Sequence, residues 1–147
     1  MHMRQVLNGI LYQEKDLEEE IPDLKVVTKR KPTEEEMKNL LFAFKAVRAT
    51  QSNSVIIAKD GATLGIGQGE TKRSWAVEKA IERSGAPEGV VLASDGFFFV
   101  DTMEALNEAG IKAIIQPGGS VKDPDVIEYA DANDMTVVFT GVRHFRH

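Results

Sequence analysis

Short apolar runs alternate along the chain with amphipathic segments, and this pattern predicts strands separated by helices. The strands are apolar or β-branched runs, whereas the helices repeat their apolar residues every three or four positions. The predicted strands cover residues 4–12, 25–28, 54–58, 62–67, 90–93, 113–115 and 136–139. The predicted helices cover residues 32–51, 71–84, 101–110 and 123–133.

Local signals indicate where these elements begin and turn. Thr33 and Glu36 are spaced as a capping box, and Asp101 with Glu104 has the same spacing, so each pair predicts a helix start. Lys59-Asp60-Gly61 predicts a hairpin turn. A hairpin followed by alternating strands and helices predicts a three-layer α-β-α fold. Its mixed sheet should be antiparallel at the hairpin and parallel later, with helices on both faces.

Composition narrows the class of protein. The 147 residues suit one domain, and we interpret Met1–Met3 as a cloning scar that leaves 4–147 as that domain. The acidic segment 13–24 is interpreted as a solvated connector. No apolar run approaches the ~20 residues of a membrane span and no secretory signal is evident, so a cytoplasmic protein is expected. The net charge of −5 argues against a general nucleic-acid binder.

Metal chemistry is not expected. The chain has no cysteine, which excludes disulfides and cysteine-based zinc sites. Of its three histidines, His2 belongs to the interpreted scar, and His144 and His147 flank Phe145 at the end of the chain. Their spacing matches no common metal-binding motif.

Three loops that follow strands are candidates for a ligand site, because ligands in open α/β sheets bind beyond the carboxyl ends of strands. Residues 65–73 combine glycines with Lys72 and Arg73, which suits an anion or polar oxygens, but a purely structural strand-to-helix turn has the same pattern. The three phenylalanines of 97–99 cannot all face one core, so at least one should line a cleft or an interface. The third loop, 116–120, is equally typical of a tight turn.

At these loops the chain resembles a known family. It is similar to the C-terminal half of the AICAR transformylase domain in the AICAR formyltransferase/IMP cyclohydrolase family, from about residue 4 to the end. The matching stretches are 26–33, 52–55, 60–67, Ala93-Ser94-Asp95 with Phe97-Phe98, 116–120 and the terminal nonapeptide 139–147.

The resemblance implies a fold and a reaction. It implies a cytidine-deaminase-like domain without zinc, and formyl transfer from the cosubstrate 10-formyltetrahydrofolate to the 5-amino group of AICAR in purine biosynthesis. It also implies a dimer in which two chains form each transformylase site.

Residue roles follow from the same resemblance. Asn53 would hydrogen-bond AICAR near the reacting amine, Arg73 and Arg143 would bind the nucleotide, and Phe97 would pack on it. The folate would be faced by two further residues, Phe99 and Asp101.

The chain departs from the family pattern in three respects. Its segment 97–101 is one residue shorter and lacks proline, and Gln68, Glu70 and Lys72 replace the usual loop residues. The catalytic Lys-His pair of the family's preceding half does not occur here, nor does the cyclohydrolase domain. We therefore expect part of a formyltransferase, either a fragment or one subunit of a split enzyme, that is inactive without its other half. The alternatives are a non-catalytic module that binds purine nucleotide or folate, and a dimerisation module.

Overall fold

The structure is a computed structural model that describes residues 24–141, where it contains six strands and four helices. The strands are β1 (Lys25–Val26), β2 (Val55–Lys59), β3 (Ala62–Gly67), β4 (Val91–Ser94), β5 (Ala113–Gln116) and β6 (Thr136–Phe139). The helices are α1 (Glu34–Val47), α2 (Arg73–Ser84), α3 (Val100–Glu108) and α4 (Asp123–Ala132).

The six strands form one mixed sheet in the order β1-β6-β5-β4-β2-β3. The hairpin β2–β3 is antiparallel, and β2 also pairs antiparallel with β4. The strands β4, β5 and β6 are parallel to one another. The predicted combination of an antiparallel hairpin and later parallel strands is therefore confirmed. At the far edge, β1 lies antiparallel to β6, a pairing the sequence pattern did not predict.

Helices cover both faces of the sheet, which confirms the three-layer α-β-α architecture. Alternate residues of each central strand point to opposite sides. On β4, for example, Val91 and Ala93 join the core beneath α1, whereas Leu92 joins the core beneath α2, α3 and α4. The α1 side is built mainly from Leu40, Leu41, Phe44, Val47, Ile56 and Ile115. The other side includes Ala76, Val77, Met103, Leu106, Ile114 and Val126.

The start of α1 confirms the predicted capping box. The Thr33 hydroxyl accepts a hydrogen bond from the Glu36 amide at 3.0 Å, and the Glu36 carboxylate accepts one from the Thr33 amide at 3.0 Å. Arg30 pairs with the same carboxylate at 2.9 Å. Burial alone would raise the pKa of Glu36, but the hydrogen bonds from Arg30 and Thr33 outweigh it and lower that pKa.

The predicted cap of the third helix is wrong. Phe99, not Asp101, occupies the N-cap of α3, and its backbone is extended while Val100 is already helical. The Asp101 carboxylate lies inside the first turn, where it accepts a hydrogen bond from the Thr102 amide at 2.9 Å. A carboxylate is also stabilised at that position by the helix dipole, so the same residue type suits the first turn as well as the cap.

Several predictions lie outside the described residues. These are the strand at 4–12, the connector up to residue 23, and the terminal residues Arg143, His144 and His147. Within residues 24–141, no helix combines the length and the apolar character needed to cross a bilayer.

Candidate functional site

The sheet topology brings the predicted loops to one edge. Because β2 is antiparallel to both β3 and β4, the strands β3, β4, β5 and β6 all point the same way. Their carboxyl ends, and the beginning of β2, therefore share one edge of the sheet. Asn53 precedes β2, Arg73 follows β3, and the segment 95–99 follows β4 at this edge.

The first two glycines of the loop 65–73 hold a helix rather than a ligand. A Cβ atom at Gly65 would lie 2.2 Å from the carbonyl oxygen of Ala80, and one at Gly67 would lie 2.0 Å from that of Ala76. The backbone of α2 thus rests directly on β3, which no larger residue allows. For these two positions the structural alternative is the correct one, and its consequence is that Arg73 begins a helix fixed at the edge of the sheet.

The Arg73 guanidinium is bound by three other residues. Its Nη1 is hydrogen-bonded to the Asp95 carboxylate and lies 3.3 Å from the Ser94 hydroxyl. Its Nη2 donates to the Asn53 side-chain oxygen at 2.9 Å. The side chain is 17% exposed, whereas that of Asp95 is fully buried. These contacts fix the partly exposed guanidinium of Arg73 next to the buried carboxylate of Asp95.

Asn53 is held from both sides. Its backbone exchanges hydrogen bonds with Glu70, at 3.1 Å and 3.4 Å, which ties the start of β2 to the loop before α2. Its side-chain oxygen faces Arg73, and its amide nitrogen donates to the Thr71 carbonyl at 3.2 Å. The side chains of Asn53 and Arg73, both candidate site residues, are therefore in direct contact.

A pocket of about 280 Å³ opens beside this network. It combines the cationic start of α2 with the aromatic segment before α3. Its lining residues are Lys72, Arg73, Ser74, Phe97, Phe98, Phe99, Asp101 and Thr102. The structure thus gathers four residues of the predicted site in the pocket wall, and Asn53 is hydrogen-bonded to one of them, Arg73, at 2.9 Å. Arg143 lies outside the described residues.

The three phenylalanines differ in burial. Phe98 is 1% exposed and belongs to the core, whereas Phe99 is 50% exposed. The rings of Phe97 and Phe99 meet edge to face with centroids 5.5 Å apart. The prediction that at least one ring lines a cleft is confirmed. Phe98, by contrast, packs in the core with Met103 and Leu106.

Sequence reasoning missed Gln116 as a support of this aromatic segment. Gln116 ends β5 and is fully buried, and its side-chain oxygen accepts a hydrogen bond from the Phe98 amide at 3.1 Å. A polar residue at the carboxyl end of an apolar strand was the available signal.

The loop 116–120, the third candidate from the sequence, folds against the start of α4. The Asp123 carboxylate accepts hydrogen bonds from the Gly119 amide at 2.8 Å and from the Ser120 amide at 3.2 Å. That loop is a tight turn.

No metal centre is evident in the described part of the chain, where no three histidine, cysteine or acidic side chains come together suitably for an ion.

Comparison with known proteins decides the family. The model of the family described as AICARFT/IMPCHase bienzyme matches residues 1–83, which is more than half of the chain. The chain belongs to this family. It is 54% identical over 147 residues to the bifunctional purine biosynthesis protein PurH of Caldicellulosiruptor bescii, and 53% identical over 145 residues to that of Streptococcus equi. These alignments cover 99% and 97% of this chain, but only 29% and 28% of the relatives. The chain therefore spans less than a third of their length.

Solved structures with a similar fold are more distant. RibD from Acinetobacter baumannii matches with a TM-score of 0.48 and 16% identity, over 71% of this chain and 34% of that one. A dCMP deaminase from the cyanophage S-TIM5 matches with a TM-score of 0.46 and 15% identity, over 69% of this chain and 94% of that one. At this level of similarity they add nothing to the architecture described above.

Proposed function

We propose that this chain contributes the nucleotide- and folate-binding part of an AICAR formyltransferase, which transfers the formyl group of 10-formyltetrahydrofolate to AICAR. The observation that supports it best is the joint placement of Arg73, Phe97, Phe99 and Asp101 around one pocket, with Asn53 hydrogen-bonded to Arg73. This chain, a member of the family, has these residues, and they lie together where the carboxyl ends of the parallel strands meet.

The polar side of the pocket suits the nucleotide. The bonds from Arg73 to Ser94, Asp95 and Asn53 use three of the five N–H donors of a guanidinium. The other two N–H groups make no hydrogen bond to any described residue and can donate to a ligand. Arg143, at the end of the chain, would supply a second cation for the phosphate, because arginine binds phosphate through parallel charge-assisted hydrogen bonds.

The aromatic side suits planar rings. We assign Phe97 to AICAR and Phe99 with Asp101 to the folate, since a flat heterocycle stacks on or against a phenylalanine ring. The half-exposed ring of Phe99 leaves a face for such a partner. The exposed carboxylate of Asp101 can accept hydrogen bonds from ring N–H groups.

The chemistry needs more than these residues provide. The AICAR amine attacks the formyl carbon and loses one proton, the bond from that carbon to the folate nitrogen breaks, and that nitrogen takes up a proton as tetrahydrofolate leaves. The amine is conjugated and therefore weakly nucleophilic, so a base must take its proton and a donor must stabilise the tetrahedral oxyanion. Asn53 can serve as that donor with the second N–H of its amide, but it cannot act as the base.

The test is turnover. We expect the 147-residue polypeptide alone to show none, because the resemblance places the base in a Lys-His pair that this sequence lacks. A missing base costs roughly 10²–10⁴-fold and a missing oxyanion donor roughly 10²–10³-fold. Tetrahydrofolate release is measured with and without a separate polypeptide carrying the preceding half of the domain, and the second polypeptide should restore activity.

Rapid turnover by this chain alone would contradict the assignment of the base. Replacing His144 and His147 separately with alanine would then show whether either histidine takes its place. Binding of AICAR without turnover, even in the presence of the second polypeptide, would favour a non-catalytic binding module.

We further propose that the chain forms a homodimer or pairs with that complementary half. Trp75, which is not assigned to either ligand, is a large apolar side chain left 45% exposed, and partner contact would cover it. Sedimentation at micromolar concentration should give a dimer or larger species. A monomer of 16.2 kDa at high concentration would contradict this.

A further inference from the structure

Asp95 is a buried acid that lies behind the pocket. It is 1% exposed at the end of β4, and it is not among the residues that line the pocket. Its Oδ1 accepts hydrogen bonds from Arg73 and from the Ser54 amide, the latter at 3.2 Å. Its Oδ2 has no hydrogen-bond partner within the described part of the chain. Burying a carboxylate is costly, and the ion pair with Arg73 offsets that cost only in part, so stability alone does not account for Asp95.

We propose that Asp95 is a positioning residue that fixes the Arg73 guanidinium and, through it, the amide of Asn53. The ligand so served is AICAR, and that part of the inference rests on the proposed function. Neither the sequence pattern nor the family resemblance gives Asp95 a role.

The geometry restricts Arg73 on three sides. Nη1 is shared between Asp95 and the Ser94 hydroxyl, and Nη2 points to Asn53. A Cβ atom at Gly96 would lie 2.2 Å from Nη2, so the guanidinium lies directly against the backbone of that glycine. Asp95 provides the anionic contact among these, and charge-assisted hydrogen bonds are the strong ones. Without it, we expect the guanidinium to leave this position.

The orientation of Asn53 depends on Arg73 in turn. A guanidinium only donates hydrogen bonds, so the group facing it must be the Asn53 oxygen. The amide nitrogen then faces the Thr71 carbonyl at 3.2 Å and retains one N–H for a ligand. If Arg73 leaves, the side-chain amide can rotate and present its oxygen where a donor is required. Asp95 therefore acts on two ligand-binding groups while touching only one of them.

The experiment begins without ligand. Side-chain ¹⁵N NMR of Arg73 in the unaltered chain should show separate, slowly exchanging Nη–H signals, because an anchored guanidinium cannot rotate freely. In Asp95→Asn, which keeps the shape but removes the charge, these signals should merge and exchange rapidly. The matched control is Ser54→Ala, which removes a neighbouring buried hydroxyl hydrogen-bonded to Thr50 and should leave the Arg73 signals unchanged. Freely exchanging Arg73 signals in the unaltered chain would overturn the proposal even if no variant folded.

Ligand binding then separates positioning from general damage. Asp95→Asn should weaken AICAR binding roughly tenfold or more, the equivalent of a lost hydrogen bond to a charged group. It should leave binding of a folate analogue within about twofold, because that ligand is assigned to the aromatic side. Equal losses for both ligands would mark a merely structural role and overturn the proposal. If the unaltered chain bound no AICAR even together with its complementary half, the proposed function would fall, and the Arg73 signals alone would decide whether Asp95 fixes that side chain.

Discussion

The two sides of the pocket are organised differently. On the polar side, hydrogen bonds to Asp95, Ser94 and Asn53 hold Arg73, whose side chain is 17% exposed. On the aromatic side, a single buried ring, Phe98, anchors a segment whose outer ring, Phe99, is half exposed. On the polar side the hydrogen-bonding groups are held in fixed directions, whereas the aromatic side offers exposed apolar surface. Affinity on the first side should depend on geometry, and on the second side on contact area.

Adjacent phenylalanines give the sharpest test of this contrast. Phe98→Ala should lower the free energy of unfolding by about 3–5 kcal/mol, because it opens a cavity in the core. Phe99→Ala should lower it by no more than about 1.5 kcal/mol, because the half-exposed ring loses mainly its edge-to-face contact with Phe97. Urea unfolding followed by circular dichroism measures both variants. Similar losses for the two would mean that Phe99 is also a core residue, and the contrast would fail.

A smaller loss of stability should follow from removing the hydrogen bond between Gln116 and the Phe98 amide. Gln116→Met keeps the side-chain length but leaves the Phe98 amide without its acceptor, which should cost about 1–3 kcal/mol. The control is Gln68→Met, since the Gln68 side chain also accepts a backbone hydrogen bond, from Gln51 at 3.2 Å, but is exposed. Water can replace that bond, so the control should lose no more than about 0.5 kcal/mol. A Gln116 variant as stable as the control would show that the Phe98 segment does not depend on this bond.

The elements of the fold were largely predictable from the sequence, because period and capping are local properties. The helix at Thr33 and the hairpin at Asp60-Gly61 are examples where a few neighbouring residues carry the whole signal. The position of the edge strand β1 was predicted, but its pairing with β6 was not, because that pairing joins residues more than a hundred positions apart. The cap at Asp101 was wrong because an acidic residue suits both the cap and the first turn.

The candidate site was predictable only where the resemblance named its residues. Asn53, Arg73, Phe97, Phe99 and Asp101 come together, but their clustering depends on strand order, which no local pattern encodes. The roles of two supporting residues could not be predicted for the same reason. Asp95 meets Arg73 across 22 positions and Gln116 meets Phe98 across 18, and only the finished sheet brings those pairs together.

The central claim is that one side of the pocket binds the nucleotide and the other binds the folate, and calorimetry on two matched variants tests it directly. Arg73→Lys keeps the charge beside Asp95 but loses the planar fork, and it should weaken AICAR binding by about tenfold while leaving a folate analogue within about twofold. Phe99→Ala should show the opposite pattern, with the folate analogue weakened by about fivefold or more. Binding of neither ligand by the unaltered chain together with its complementary half, or equal losses of both ligands in both variants, would contradict the account.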